Sequence, residues 1–315
     1  MQYKKYLGIL LGGVYGLAYR MLCGQDFFDQ VYDYYNIYSI SFIWVMPIVI
    51  SMIPMLVARE EILKSRWKQF LYPVMSVLLF FLLALSSGVE DWLCILIIVF
   101  PFLLSAGVVG LSLGHYLKKK EGKGLYAMIL LPLLLNPLEN QFEDNVEHFQ
   151  VQNSIVIEAS QAKVWQNLKE VPEIQESEYE SGILNFLGVP RPIKSELIMM
   201  DGVEYRVGYF SDELRLFETV AAEDSLETLR FEVHIDKSTL RDLPTDQHLL
   251  QSDYFQFEDI SYRLEALDAG HTKLTLDCQY KVKSKMNAYA SFWANIVLAD
   301  FEKRLLAALK VKLEK

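Results

Sequence analysis

Arg206 and Glu218 are the pair of residues in this sequence best placed to act together on a ligand. The strand-like stretch Glu204–Phe210 turns near Asp212 into a second one, Leu214–Ala221. A three-residue connection (Ser211, Asp212, Glu213) puts Phe210 opposite Leu214, Gly208 opposite Leu216 and Arg206 opposite Glu218, an opposite-charge pair on one face of a hairpin. A two-residue connection puts Tyr205 opposite Glu218 instead, and no pair forms. On the concave face of a sheet the pair would orient the polar end of a ligand. On the other face it is an ordinary salt bridge worth ~0–1 kcal/mol. Tyr289 and Trp293, four apart near the C-terminus, share one helical face, and Tyr209, Tyr254 and Tyr262 add hydroxyls to strand-like stretches. These seven residues are the candidate ligand-binding set.

Other chemistries find little support. His148, His234, His248 and His271 lack metal-ligand spacing, so neither a metal nor a cofactor is expected. His234 alternates with Glu232 and Asp236, which places it on a solvated face, and His248 is expected to hold the loop ahead of Tyr254. Cys23, Cys94 and Cys278 form no C-x-x-C and read as free thiols, with a Cys23–Cys94 disulfide as the alternative. A nucleophile elbow, a glycine-rich phosphate loop and paired carboxylates on one element are all missing, so enzymatic activity is left open.

Two regions of different character position these residues. Up to Asn136 there are 11 Lys/Arg against 8 Asp/Glu; beyond it there are 19 against 32. The acidic second region argues against nucleic acid as a partner. Residues 1–138 are expected to form a transmembrane region of about five helices: Tyr6–Cys23, Ile40–Ala58, Phe70–Ser87, Trp92–Leu117 and the shorter Gly124–Leu138. Basic residues gather at Lys4/Lys5, at Arg59–Lys68 and at Lys118–Lys123, whereas Asp26, Asp29, Asp33, Glu90 and Asp91 occupy the intervening loops. This alternation predicts a multi-pass protein of the plasma (inner) membrane with a cytoplasmic N-terminus and an extracytoplasmic C-terminal domain. If Gly124–Leu138 does not span, that domain is cytoplasmic. Arg20 and His115, near span ends, are read as snorkelling side chains. The G-x-x-x-G spacings of Gly8, Gly12 and Gly16, and of Gly110 and Gly114, serve packing within the chain or dimerisation.

A linker over 139–150 precedes a water-facing domain over 151–315. Period-two alternation over Val151–Glu158 leads to a short helix over Gln161–Glu170, capped by Ser160. Strand-like stretches follow at Ile193–Met200, Glu204–Phe210, Leu214–Ala221, Thr228–Asp236, Asp253–Leu267 and Thr272–Lys283. A long helix from Asn287 to about Leu313 closes the domain, with Phe292, Trp293, Ile296, Val297, Phe301, Leu305 and Leu309 as its apolar stripe. This order predicts an α+β fold with one curved antiparallel sheet around the last helix.

The opening Ser154-Ile155-Val156-Ile157-Glu158-Ala159 with Val164-Trp165 resembles the start of polyketide-cyclase/START-like (SRPBCC, helix-grip) domains. Further matching pieces are Gly188-Val189-Pro190-Arg191-Pro192, Arg206 with Phe210, Glu218-Thr219-Val220, Asp246-Gln247-His248, Tyr254-Phe255, and Asn287 and Tyr289 with Trp293. The resemblance is closest to bacterial members that carry the domain behind a membrane anchor. Glu204 departs from the glycine expected ahead of the arginine. The resemblance implies a largely apolar cavity between sheet and C-terminal helix that binds lipids, sterols, polyketides or similar molecules. The expected function is therefore a membrane-anchored module that binds a hydrophobic or lipid-like small molecule, with the bilayer as its other partner. The alternatives are a cyclase- or hydratase-like enzyme using Arg206, Glu218 or a pocket tyrosine, and a ligand-responsive sensory protein.

Overall fold

The computed structural model describes residues 6–23, 37–118, 123–224 and 226–315. Lys4, Lys5, Asp26, Asp29, Asp33, Lys119 and Lys120, used above for orientation, lie outside the described residues. The chain divides into two compact units. One comprises Met1–Asn145 with the short segments Leu243–His248 and Ser284–Met286; the other holds the remainder from Val146 to Lys315.

The first unit is helical. Its elements are α1 (Leu7–Cys23), α2 (Met46–Leu56, entered through a π-helical turn over Ser41–Val45), α3 (Glu60–Leu63), α4 (Arg66–Ser87), α5 (Trp92–Leu117) and α6 (Leu131–Glu139). Two of them, α4 and α5, are long and apolar enough to cross a membrane; Leu7–Cys23, Ser41–Leu56 and Leu125–Glu139 are shorter apolar helices. The segment expected to be one helix over Gly124–Leu138 is instead a 3-10 helix over Lys123–Leu130 that continues into α6. At ~2.0 Å per residue for the first part and ~1.5 Å for the second, the two together reach about 30 Å.

The glycine stripes are spent within the chain. A Cβ on Gly12 would meet the Ile50 carbonyl at 2.6 Å, and one on Gly16 would meet Phe80 at 2.7 Å, so α1 packs backbone-close against α2 and α4. Gly88, at φ +72°, ends α4 with the left-handed residue that its last carbonyls require. Asp91 then caps α5, accepting from the Leu93 and Cys94 N–H groups at 3.0 Å each.

One pole of this unit collects the end of α1, the α4–α5 turn and the Leu243–His248 segment, joined through Arg20, Glu90 and His248. Glu139, at the end of α6, accepts from the Ile40 and Ser41 N–H groups at 2.7 and 2.9 Å, so the end of α6 lies level with the entry to α2. At the opposite ends, Gly8 near the start of α1 packs on Pro54, Val57 and Tyr72. Polarity runs outward to inward: Phe100 (63% exposed) and Leu82 (60%) face away, while Ser51, Gln69 and Ser76 are buried.

The second unit is an α+β domain. It contains β1 (Asn145–Ile157, whose first residue falls in the helical unit), α7 (Gln161–Gln166), α8 (Ile183–Phe186), β2 (Pro192–Met200), β3 (Val203–Phe210), β4 (Arg215–Asp224) and β5 (Thr228–Thr239). After α9 (Pro244–Leu249), most of which belongs to the helical unit, come β6 (Phe255–Ala266), β7 (Thr272–Ser284) and α10 (Asn287–Leu313). The seven strands form one sheet in the order β1-β7-β6-β5-β4-β3-β2. Every neighbouring pair from β2 to β7 is antiparallel. Asp201-Gly202, both at positive φ, make the tight β2–β3 turn.

The core lies between one sheet face and α10: Leu229, Phe231, Tyr262, Leu264, Leu274 and Leu276 meet Leu306, Leu309 and Leu313. This arrangement is consistent with the helix-grip expectation. Three local readings need correction. β1 begins at Asn145, inside the stretch taken for a linker, and α7 ends at Gln166, short of Glu170. The apolar stripe of α10 is also rotated: Leu305 and Leu309 meet the core as expected, but Phe292 is 55% exposed, and Ala290, Leu306 and Leu313 take the buried positions.

Candidate functional site

The hairpin register is the three-residue one. Phe210 N–H donates to the Leu214 carbonyl, Gly208 pairs with Leu216, and Arg206 pairs with Glu218. Asp212 and Glu213 take positive φ in the connection, which closes it without changing strand parity. Glu218 lies opposite Val233, and Val220 opposite Phe231, so the ion pair occupies the face that α10 covers. Arg206 Nη1 donates to Glu218 Oε2, and both side chains are buried. Arg206 Nε also donates to the Lys169 carbonyl at 3.0 Å, and its guanidinium lies 4.7 Å from the Phe231 ring centre. Burial alone would lower the arginine's pKa, but Glu218 and the Tyr262 hydroxyl outweigh it and raise it. For Tyr262, burial pushes the phenol up to about 12, so it stays a neutral donor.

Glu302 on α10 faces the same interior, 2% exposed. Asn153 Nδ2 donates to its Oε2 at 2.7 Å, while its Oε1 is buried without a hydrogen bond. Burial raises its pKa to about 7. Sequence reading passed over this carboxyl, although a signal exists: Glu302 is in helical phase with Leu306, Leu309 and Leu313.

Of the other candidates, Tyr209 is on the opposite sheet face, where the Lys194 ammonium lies 4.8 Å from its ring centre. Tyr254 is in the turn before β6, its carbonyl accepting from Lys283 N–H at 3.0 Å. Tyr289 and Trp293 share a half-buried face near the start of α10, and the Trp293 ring meets Phe292 edge-on at 5.4 Å. His234 shares the outer face with Tyr209, the face expected for it, and is half-buried there and bonded to Thr219 Oγ1 at 2.8 Å. The structure thus joins Arg206, Glu218 and Tyr262 and leaves the other four apart.

A cleft of about 680 Å³ opens where β5 leaves β6. The two strands pair only from Thr228 to Phe231 against Ile260 to Arg263, and a bulge between Phe257 and Asp259 turns β6 aside. Val233, Ile235 and Leu240 line one side, and Leu250, Phe255 and Phe257 the other. Asp236, Ser238, Gln251, Ser252, Asp253 and Gln256 complete its wall, and none of the seven sequence candidates lines it.

No protein-family model matches the sequence, and no curated protein matches it. Solved structures do. A START superfamily protein from Mycobacterium smegmatis is 11% identical, with a TM-score of 0.36 over 53% of this chain and 98% of that one. The Zhui aromatase/cyclase from Streptomyces sp. R1128 is 14% identical, covering 53% of this chain and 94% of that one at a TM-score of 0.34. Truncated norcoclaurine synthase from Thalictrum flavum is 13% identical, covering 55% and 96% at 0.33.

The helical unit holds a second polar cluster. Arg20, expected to snorkel, is 2% exposed because its Nε donates to Glu90 Oε1 at 2.6 Å and its Nη2 lies 3.0 Å from His248 Nε2. Thr245 donates to Asp91 through its N–H at 2.9 Å and through Oγ1 at 2.6 Å, and Cys94 Sγ lies 3.4 Å from that hydroxyl. Burial alone would raise the Glu90 pKa, but Arg20 and then His248 hold it at about 2, and burial lowers that of His248. Donor atoms of Glu90, Cys94 and His248 converge within 4.8 Å, a set that spacing in the sequence did not suggest. The Arg20 guanidinium already bonds two of the three, and its fixed charge opposes a divalent cation there. The cluster reads as the anchor of the Leu243–His248 segment, in keeping with the loop-holding role expected of His248. No disulfide joins Cys23, Cys94 or Cys278.

Proposed function

We propose that this protein is a membrane-tethered binding module whose START-like domain takes up a hydrophobic or amphipathic small molecule. The observation that carries the reading is the cleft between β5 and β6, of a size that holds a small ligand and with six apolar and six polar residues on its walls, a lining suited to an amphipathic molecule. The polarity of the helical unit supports a bilayer around it: large apolar side chains such as Phe100 and Leu82 face outward, while Ser51, Gln69 and Ser76 are inside. Its two poles support the orientation. The Arg59–Lys68 loop belongs to the pole opposite Glu90 and Glu139, and the ~30 Å of Lys123–Glu139 suffices for a fifth crossing. The N-terminus is then cytoplasmic and the START-like domain extracytoplasmic.

A second reading, acid–base catalysis, is favoured by Glu302, a buried carboxyl poised near neutrality with one oxygen unpartnered. The deciding experiment is mass spectrometry of small molecules extracted from the full chain purified from membranes. A stoichiometric apolar compound supports the binding module. A folded protein that yields none, and that binds no apolar probe, removes it.

A further inference from the structure

The walls of the β5–β6 cleft have an uneven chemistry. Six of the lining residues are apolar, two are aspartates, and none is lysine, arginine or histidine. Asp236 and Asp253 are solvent-exposed, and so lie where the cleft meets water, while Val233, Ile235, Phe255 and Phe257 are half-buried. Asp253 accepts a long 3.4 Å bond from Gln256 Nε2, and that amide carries no charge. Lys237, next to Asp236, does not line the cleft: its ammonium lies 5.4 Å from the Tyr205 ring centre, and Tyr205 influences it more than Asp236 does. An apolar molecule entering this cleft therefore meets two carboxylates and no lining cation.

We propose that the cleft selects compact apolar molecules carrying a cationic amine over the corresponding carboxylates. The inference rests on the binding-module reading and adds the charge class of the ligand. A carboxylate in the same place would be repelled by both aspartates, whereas an ammonium would be attracted by both. Each exposed aspartate contributes a few-fold at low ionic strength, and about tenfold together, a preference that salt weakens.

The test uses the full chain in lipid nanodiscs and three rigid, water-soluble probes of one shape: 1-adamantylamine, 1-adamantanol and adamantane-1-carboxylate. Calorimetric titration in low salt should give the amine a Kd about tenfold or more below that of the carboxylate, with the alcohol between them. The Asp236→Asn/Asp253→Asn variant should lose this ranking while still binding the alcohol, and Val233→Trp should weaken all three. The asparagine variant changes only exposed positions, so the test survives if Val233→Trp fails to fold. Equal or tighter binding of the carboxylate, with cleft binding otherwise intact, overturns the charge assignment alone. Failure of all three probes to bind the folded wild type overturns the binding reading beneath it.

Discussion

Replacing Glu218 by glutamine removes the charge that balances Arg206 on the helix-facing side of the sheet. The guanidinium stays buried, and it keeps the Lys169 carbonyl at 3.0 Å and the Phe231 ring at 4.7 Å. Breaking a buried pair by neutralising one member costs about 3–5 kcal/mol. The retained partners place this case near the lower end, about 3 kcal/mol. Removing both charges with Arg206→Met/Glu218→Leu leaves no stranded ion and is expected to cost about 1 kcal/mol or less. The assay is thermal unfolding of the full chain in detergent, followed by tryptophan fluorescence. At about 2–4 °C per kcal/mol, Glu218→Gln should lower Tm by about 6–12 °C. The double variant should recover most of that loss. A loss under about 1 kcal/mol for the single variant would put the pair in the solvent-screened class. A double variant less stable than the single one would equally refute the reasoning.

Glu302 gives a pH signature. Its folded pKa of about 7 exceeds the ordinary 4.5, so its protonated form favours the fold, and the stability it contributes below about pH 4.5 is lost as pH rises through about 7. Glu302→Gln should raise Tm by a few degrees at pH 8 and leave it nearly unchanged at pH 4; equal shifts at both pH values would show that the carboxyl is not desolvated. Thr245→Cys should form a disulfide with Cys94 under mild oxidation, seen as a mobility shift on non-reducing gels, since the two side chains lie 3.4 Å apart. Absence of the bond in folded protein would contradict the seating of the Leu243–His248 segment. Gly12→Val should prevent recovery of folded protein, because its side chain would collide with the Ile50 carbonyl and Ser76; a dimerisation role predicts a stable monomer instead.

Periodicity in the sequence located the apolar segments, the strands after Val151 and the C-terminal helix, because each is a local pattern in which every residue's environment repeats at a fixed spacing. Period two also limited the Arg206–Glu218 question to the length of one turn, and the positive φ of Asp212 and Glu213 decided it. The rotation of α10 was not legible, since Phe292 and Ile296 are as apolar as Leu306 and Leu313, and only packing shows which of them the sheet covers. The cleft depends on where β5 and β6 stop pairing, a property of two strands and a bulge together. Arg20 and His248 stand 228 positions apart and carry no mutual signal. Each alone reads as a tolerated polar residue, and only the tertiary structure, by burying them beside Glu90, turned three unremarkable side chains into one network.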